Sequence, residues 1–98
     1  MSTPEEHFEI AVDESSDAEA RETALADLET ANECARLADV VRDDGVADRY
    51  REQALTGLAH PQCTATLRGL AEDSGLPSSL QDRAEQLLDE TPEDAGPT

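Results

Sequence analysis

The sequence predicts an all-α fold, a short α-solenoid of about five or six helices, and three observations point there. Ala and Leu, both strong helix formers, supply most of the apolar content, while the chain has one Phe, one Tyr and no Trp. The β-branched and aromatic residues that strands prefer are therefore scarce. Helix-start signals recur along the chain, and a stride of thirty residues carries the sequence onto itself.

Thr3-Pro4-Glu5-Glu6 is a capping box with Pro at the first helical position; it opens a helix from Pro4 to about Asp13. The stretch Phe8 to Val12 is also compatible with a short extended segment. Ser16-Asp17-Ala18-Glu19 reads as a second capping box, and Ala20, Ala24, Leu25 and Leu28 form an apolar stripe running to about Glu29. Thr30-Ala31-Asn32-Glu33 reads as a third box, predicting a tight corner at Thr30. The next helix carries Cys34, Leu37, Val40 and Val41 and is expected to stop at Gly45 in the left-handed conformation.

A further helix is predicted from Ala47 to Ala59, with Tyr50, Ala54, Leu55 and Leu58 inward. His60-Pro61 breaks it. Ala65, Leu67, Leu70 and Ala71 belong to a helix ending near Gly75, and Pro77-Ser78-Ser79 starts the last one, with Leu80, Ala84, Leu87 and Leu88 inward. Corners at Thr30 and His60-Pro61 would make the helices flanking them antiparallel pairs. The expected organisation is an N-terminal capping helix over residues 1–14, repeats over 15–90, and a disordered tail over 91–98, which has nothing to bury.

The repeat is visible residue by residue. Arg21-Glu22, Ala24-Leu25 and Leu28 meet Arg51-Glu52, Ala54-Leu55 and Leu58; Ala35, Leu37, Asp43 and Gly45 meet Ala65, Leu67, Asp73 and Gly75. That is nine identities in 26 gap-free positions, placed at inward apolar sites and at the turn glycine. A partial third unit is read at an offset of 32, matching Arg83 and Leu87 to Arg51 and Leu55. One helix pair cannot bury its own apolar face, so stacking pairs must make the core.

Ala20-Arg21-Glu22-Thr23-Ala24-Leu25-Ala26-Asp27-Leu28 and Tyr50-Arg51-Glu52-Gln53-Ala54-Leu55-Thr56-Gly57-Leu58 resemble the short HEAT-like repeat of the phycobilin-lyase type, whose unit reads Val-Arg-x-x-Ala-Ala-x-x-Leu after an Asp. Asp82-Arg83-Ala84-Glu85-Gln86-Leu87 is a degenerate third copy, and the usual Val is Ala20, Tyr50 or Asp82 here. The resemblance covers about residues 17–90. It implies a stack of helical hairpins, and an arginine ladder at Arg21, Arg51 and Arg83 bonding to carbonyls or to an Asp of the preceding turn. The alternative for these arginines is a face that grips an acidic partner.

Charge bounds the function. There are 24 acidic residues against 7 basic ones, all Arg, for a net charge of −17. Such a chain repels itself, and molar salt, with a Debye length of about 3 Å, largely removes that penalty. Acid-rich, Lys-free, Ala-rich compositions resemble those of haloarchaeal cytosolic proteins, which implies a high-salt cytoplasm; an acidic mesophilic protein is the other reading. No basic cluster exists to replace counterions on DNA or RNA, and an anionic membrane surface is disfavoured on the same ground. No apolar run approaches the length of a membrane span, and the N-terminus has no basic or apolar region of a secretory signal.

A cytoplasmic location makes Cys34 and Cys63 reduced thiols by expectation, small buried hydrophobes. With His60 three residues before Cys63, the alternative is a thiol- or metal-responsive site, although no Cys-x-x-Cys is present. Gly57 and Gly69, inside expected helices, point to close helix packing. His7 reads as a surface residue, and paired acids such as Asp43-Asp44 are expected by accident in this composition. No triad, phosphate loop, cofactor or metal set is read, so no catalytic residue is assigned. The expected function is a non-catalytic protein-interaction module, a small adaptor or regulatory subunit. Its expected partner is another protein, and a homodimer through an exposed terminal helix is compatible with the same sequence.

Overall fold

A computed structural model describes residues 3–91. The described residues form six α-helices: α1 Pro4–Val12, α2 Ala18–Thr30, α3 Cys34–Arg42, α4 Asp48–Thr56, α5 Thr64–Ala71 and α6 Ser78–Glu90, with a 3-10 turn Pro61–Cys63 leading into α5. No strand occurs among the described residues. The all-α helical-repeat class read from the sequence is the class observed.

The pairing of the helices differs from the expected one. α1 packs chiefly on α2, α3 on α4 and α5 on α6; between these hairpins α1 meets α3, α2 meets α4, α3 meets α5 and α4 meets α6. The tight corners are thus Asp13–Asp17, Asp43–Ala47 and Asp73–Pro77, and the segments after Thr30 and Thr56 link one hairpin to the next. Helix α1 is the first half of a complete hairpin. Starts at Pro4, Cys34 and Thr64, and at Ala18, Asp48 and Ser78, show that the thirty-residue stride holds for all three units. The offset of 32 for the third unit is therefore corrected: the residue in register with Arg21 and Arg51 is Gln81, not Arg83.

Each corner is built the same way. The N–H of Asp13, Asp43 and Asp73 donates to the carbonyl of Ile10, Val40 and Leu70, at 3.2, 3.2 and 3.1 Å. Each aspartate Oδ1 then accepts the N–H two residues on, from Ser15, Gly45 and Gly75, at 2.9 Å in every case. This is an Asx turn, which bends the chain by closing a side chain onto the backbone. Gly45 was expected in the left-handed conformation at a helix end, yet no glycine has positive φ among the described residues, Gly75 included. A Cβ there would approach the corner Asp Oδ1 to 3.3 and 3.2 Å, and Ser15 fills the same place in the first corner. The left-handed residue is Asn32, with φ 57°, in the link between the first two hairpins; Asn tolerates that region.

Helix ends shifted for readable reasons. The N-cap of α2 is Asp17, whose carboxylate accepts from the Ala20 N–H at 2.8 Å. Thr30 is not a cap; it is the last residue of α2, its hydroxyl donating to the Ala26 carbonyl at 3.0 Å. Only the capping box of Thr3 and Glu6 closes in both directions. The core is one cluster of Leu, Ala and Val contributed by all six helices, with Tyr50 and Cys63. Its rows repeat at the stride: Ala24, Ala54 and Ala84 are buried in step, as are Leu37 with Leu67 and Leu25 with Leu55.

The rows also end in step. The third member after Leu25 and Leu55 is Glu85, which is exposed, and the member before Leu37 and Leu67 is His7, which lies 3.5 Å from Asp27. Gly69 has open space where a Cβ would stand, so close packing does not explain it; Gly57 does sit against Glu29 of α2, at 3.4 Å. Thr91 is buried, contrary to its place in the expected tail. The rest of that tail lies outside the described residues.

Candidate functional site

Among the polar ties between elements, two constructions stand out by their burial or covalency. The first is the arginine ladder. Arg21 Nε donates to the Ala11 carbonyl at 3.0 Å, and Arg51 Nε donates to the Val41 carbonyl at 2.8 Å. Each reaches ten residues back, across its own hairpin corner, to the last turn of the preceding helix. Both arginines are buried, with 6% and 5% of their surface exposed. The last carbonyls of a helix lack intrahelical donors, and a buried one left unpaired costs about 1–3 kcal/mol. The ladder is therefore a corner brace, the bonding to carbonyls expected of Arg21 and Arg51.

Arg83 is not part of it. It donates to Gln86 Oε1 at 3.0 Å on its own helix and is half-buried. In the third hairpin Gln81 braces the corner instead, its Nε2 donating to the Asp73 carbonyl.

Tyr50 connects the first two hairpins through the ladder. Two guanidiniums lie over its ring, Arg21 at 4.1 Å and Arg49 at 4.7 Å from the centroid, and its hydroxyl accepts from Arg49 Nη2 at 2.8 Å. Arg21 comes from α2 and Tyr50 from α4, so the stack joins hairpins. Cation–π pairs of this kind are strongest where water is excluded, and Tyr50 is 2% exposed. Arg21 Nη2 is buried without a hydrogen-bond partner, so the Tyr50 ring offsets part of its lost solvation. Gln53 Nε2 adds a second tie by donating to the Glu22 carbonyl at 3.2 Å.

The second construction joins the second and third hairpins. Cys34 and Cys63 form a disulfide, with Cα atoms 5.6 Å apart. This corrects the expectation of two reduced thiols. Cys34 is the first residue of α3 and is partly exposed; Cys63 ends the 3-10 turn and is fully buried. The bridge thus pins the start of α3 to the start of α5. His60 caps the 3-10 turn, its carbonyl accepting the Cys63 N–H at 2.9 Å, and its Nε2 is buried without a partner. Among the described residues no group of three or more His, Cys, Asp or Glu gathers to hold a metal, and bonded sulfurs are not thiolate ligands.

At the opposite end of α3, Arg42 Nε donates to Asp73 Oδ2 at 3.0 Å. The Arg42 guanidinium, together with the Gly75 N–H, holds the Asp73 carboxyl below the usual carboxylate range. Asp13 is lowered in the same direction, chiefly by the Ser15 hydroxyl and N–H.

The fold and these ties define a short helical-repeat protein, three hairpins braced at their corners and stapled between layers. No family model matches the chain, and neither a curated protein nor a solved structure matches it. The sequence signalled the ladder through the recurring Arg-Glu; the disulfide had no such signal, because Cys34 and Cys63 stand 29 apart, one residue out of the repeat register. No helix of the described residues is long and apolar enough to cross a membrane.

Proposed function

We propose that the protein is a non-catalytic interaction module, a small adaptor or regulatory subunit working in a high-salt cytoplasm. The observation that carries this reading is the row Glu22, Glu52 and Asp82, one exposed carboxylate at the same position of α2, α4 and α6. Stacked hairpins hold such a row at fixed spacing on one side of the stack, which is how repeat proteins present extended binding surfaces. A partner offering a matching line of hydrogen-bond donors or cations suits it. At molar salt such recognition works through direct contacts, since long-range attraction is screened within about 3 Å.

The test is chemical cross-linking and capture from native lysate in molar KCl. The triple variant Glu22→Gln/Glu52→Gln/Asp82→Asn is expected to lose the captured protein. A control with equal charge change on the odd-helix side, Glu9→Gln in α1, Asp39→Asn in α3 and Glu72→Gln at the C-cap of α5, is expected to keep it. Equal capture by both variants defeats the reading. The high-salt setting is tested separately: helicity by circular dichroism is expected to fall as KCl is removed, and undiminished helicity in dilute buffer argues against it.

A second reading, a thiol-responsive protein using Cys34 and Cys63, is favoured by the disulfide itself. In a reducing cytoplasm a bridge of this kind is transient, and its usual uses are catalytic or redox-sensing.

A further inference from the structure

We infer that the Cys34–Cys63 bridge is a redox latch on the third hairpin: a dithiol reductant of the thioredoxin class cleaves it, and α5–α6 then loosen from the rest of the stack. This rests on the thiol-responsive reading and adds which sulfur is attacked and which part of the fold responds.

The placement of the bridge picks out the third hairpin. The junction between hairpins one and two has a broad packing surface, the Arg21–Tyr50 stack and the Gln53 tie to α2. The junction between hairpins two and three is thinner. Helix α4 meets α6 more sparsely than α2 meets α4, and α3 meets α5 more sparsely than α1 meets α3. The position in register with Tyr50 is Leu80, which stacks no cation, and the position in register with Arg21 and Arg51 is Gln81. What the second junction has instead is the disulfide at one end of α3 and the exposed Arg42–Asp73 pair at the other. An exposed ion pair contributes little, less still in salt. The covalent tie is the stronger holder of the two.

Access fixes the order of bond breaking. Cys63 is fully buried while Cys34 is partly exposed, so an incoming thiolate reaches the Cys34 sulfur. A mixed disulfide forms at Cys34, the Cys34–Cys63 bond breaks, and Cys63 leaves with the electron pair and takes up a proton. The second thiolate of the reductant then attacks its own sulfur in the mixed disulfide, and Cys34 leaves. The reductant ends as a disulfide, and the protein as two thiols.

The expected size of the response comes from the chain path. A bridge closing a free loop of this span is worth a few hundredfold in an opening equilibrium. With the second hairpin still folded, cleavage frees only the link 57–63 and the third hairpin, so about tenfold faster opening of that hairpin is expected.

The experiment is hydrogen exchange on the full chain in molar KCl, before and after treatment with thioredoxin and its reductase, or with dithiothreitol. Thiols are counted in parallel by alkylation and mass. Two thiols appearing on reduction, with residues 61–90 exchanging about tenfold faster through an opening that leaves residues 4–30 protected, supports the latch. The double variant Cys34→Ser/Cys63→Ala is expected to show the same pattern without reductant. Two free thiols before any reductant, or a bridge that the dithiol cannot open, sinks the thiol reading itself. Cleavage that accelerates all three hairpins alike, or none, leaves that reading standing and overturns the latch.

Discussion

Reduction of the Cys34–Cys63 bridge should lower the stability of the whole domain by an amount set by the loop it closes. The bridge spans 29 residues, one short of the repeat period. The chain-entropy relation gives about 3.6 kcal/mol at 25 °C for a loop of that length. For a domain of this size each kcal/mol moves the melting temperature by about 4–8 °C, so reduction is expected to lower Tm by about 15–30 °C. The comparison is clean because oxidised and reduced chains carry the same side chains, and Cys63 stays a small buried apolar group either way.

The assay is urea unfolding followed by circular dichroism at fixed molar KCl, with and without dithiothreitol. Two signatures are required together. The midpoint falls, and the slope m rises, because an unbridged denatured chain expands further and exposes more surface. A midpoint that falls by less than about 0.5 kcal/mol of stability, at unchanged m, would falsify the loop-closure account. A larger fall at unchanged m would instead place the effect in the native packing around Cys63.

Individual contacts give further outcomes. Arg51→Leu strips the Val41 carbonyl of its buried donor and is expected to cost about 1–3 kcal/mol in the same urea assay, while Arg83→Ala should stay within about 0.5 kcal/mol. Gly69→Ala adds a methyl into open space in the interior of α5 and should raise stability by about 0.5–1 kcal/mol. Asp73 should titrate below 3.8 by carboxyl NMR, and Arg42→Gln should raise it. Because the folded value is the lower one, the stabilisation that Asp73 provides is present above the unfolded value and lost as pH falls through the folded value. Glu85→Leu completes the row of Leu25 and Leu55 on an exposed position and should produce concentration-dependent association by sedimentation; a strictly monomeric variant would show that the end of the stack is closed by something else.

The stride was legible and its phase was not, and the difference is physical. Identity at thirty residues collects where the environment admits few choices: Leu25 with Leu55, Leu37 with Leu67, and Arg21 with Arg51, each buried and each facing the same neighbours one layer apart. The first odd helix and the last even helix each lack one neighbouring layer, so their residues were free to diverge. His7 replaces the leucine of Leu37 and Leu67, Glu85 that of Leu25 and Leu55, and Gln81 the ladder arginine. These end units therefore look unlike the middle, and the best-matching window begins at Arg21, half a unit late. What survives at every corner is Asp13, Asp43 and Asp73, because the turn needs a carboxylate more than it needs glycine, as Ser15 shows.

The disulfide stood only as an alternative in the sequence, for a related reason. Residues in register lie in equivalent places of successive layers, but a bridge between layers joins positions that touch, and touching depends on the path of the link. Here α4 stops at Thr56, and Pro61 starts a 3-10 turn that delivers Cys63 to the position in register with Glu33, one residue before α5. Cys34 opens α3, so the two sulfurs sit side by side at the heads of neighbouring helices and not in the same row. A repeat comparison therefore scores them as a mismatch, although the same stride is what sets the two helix heads next to each other.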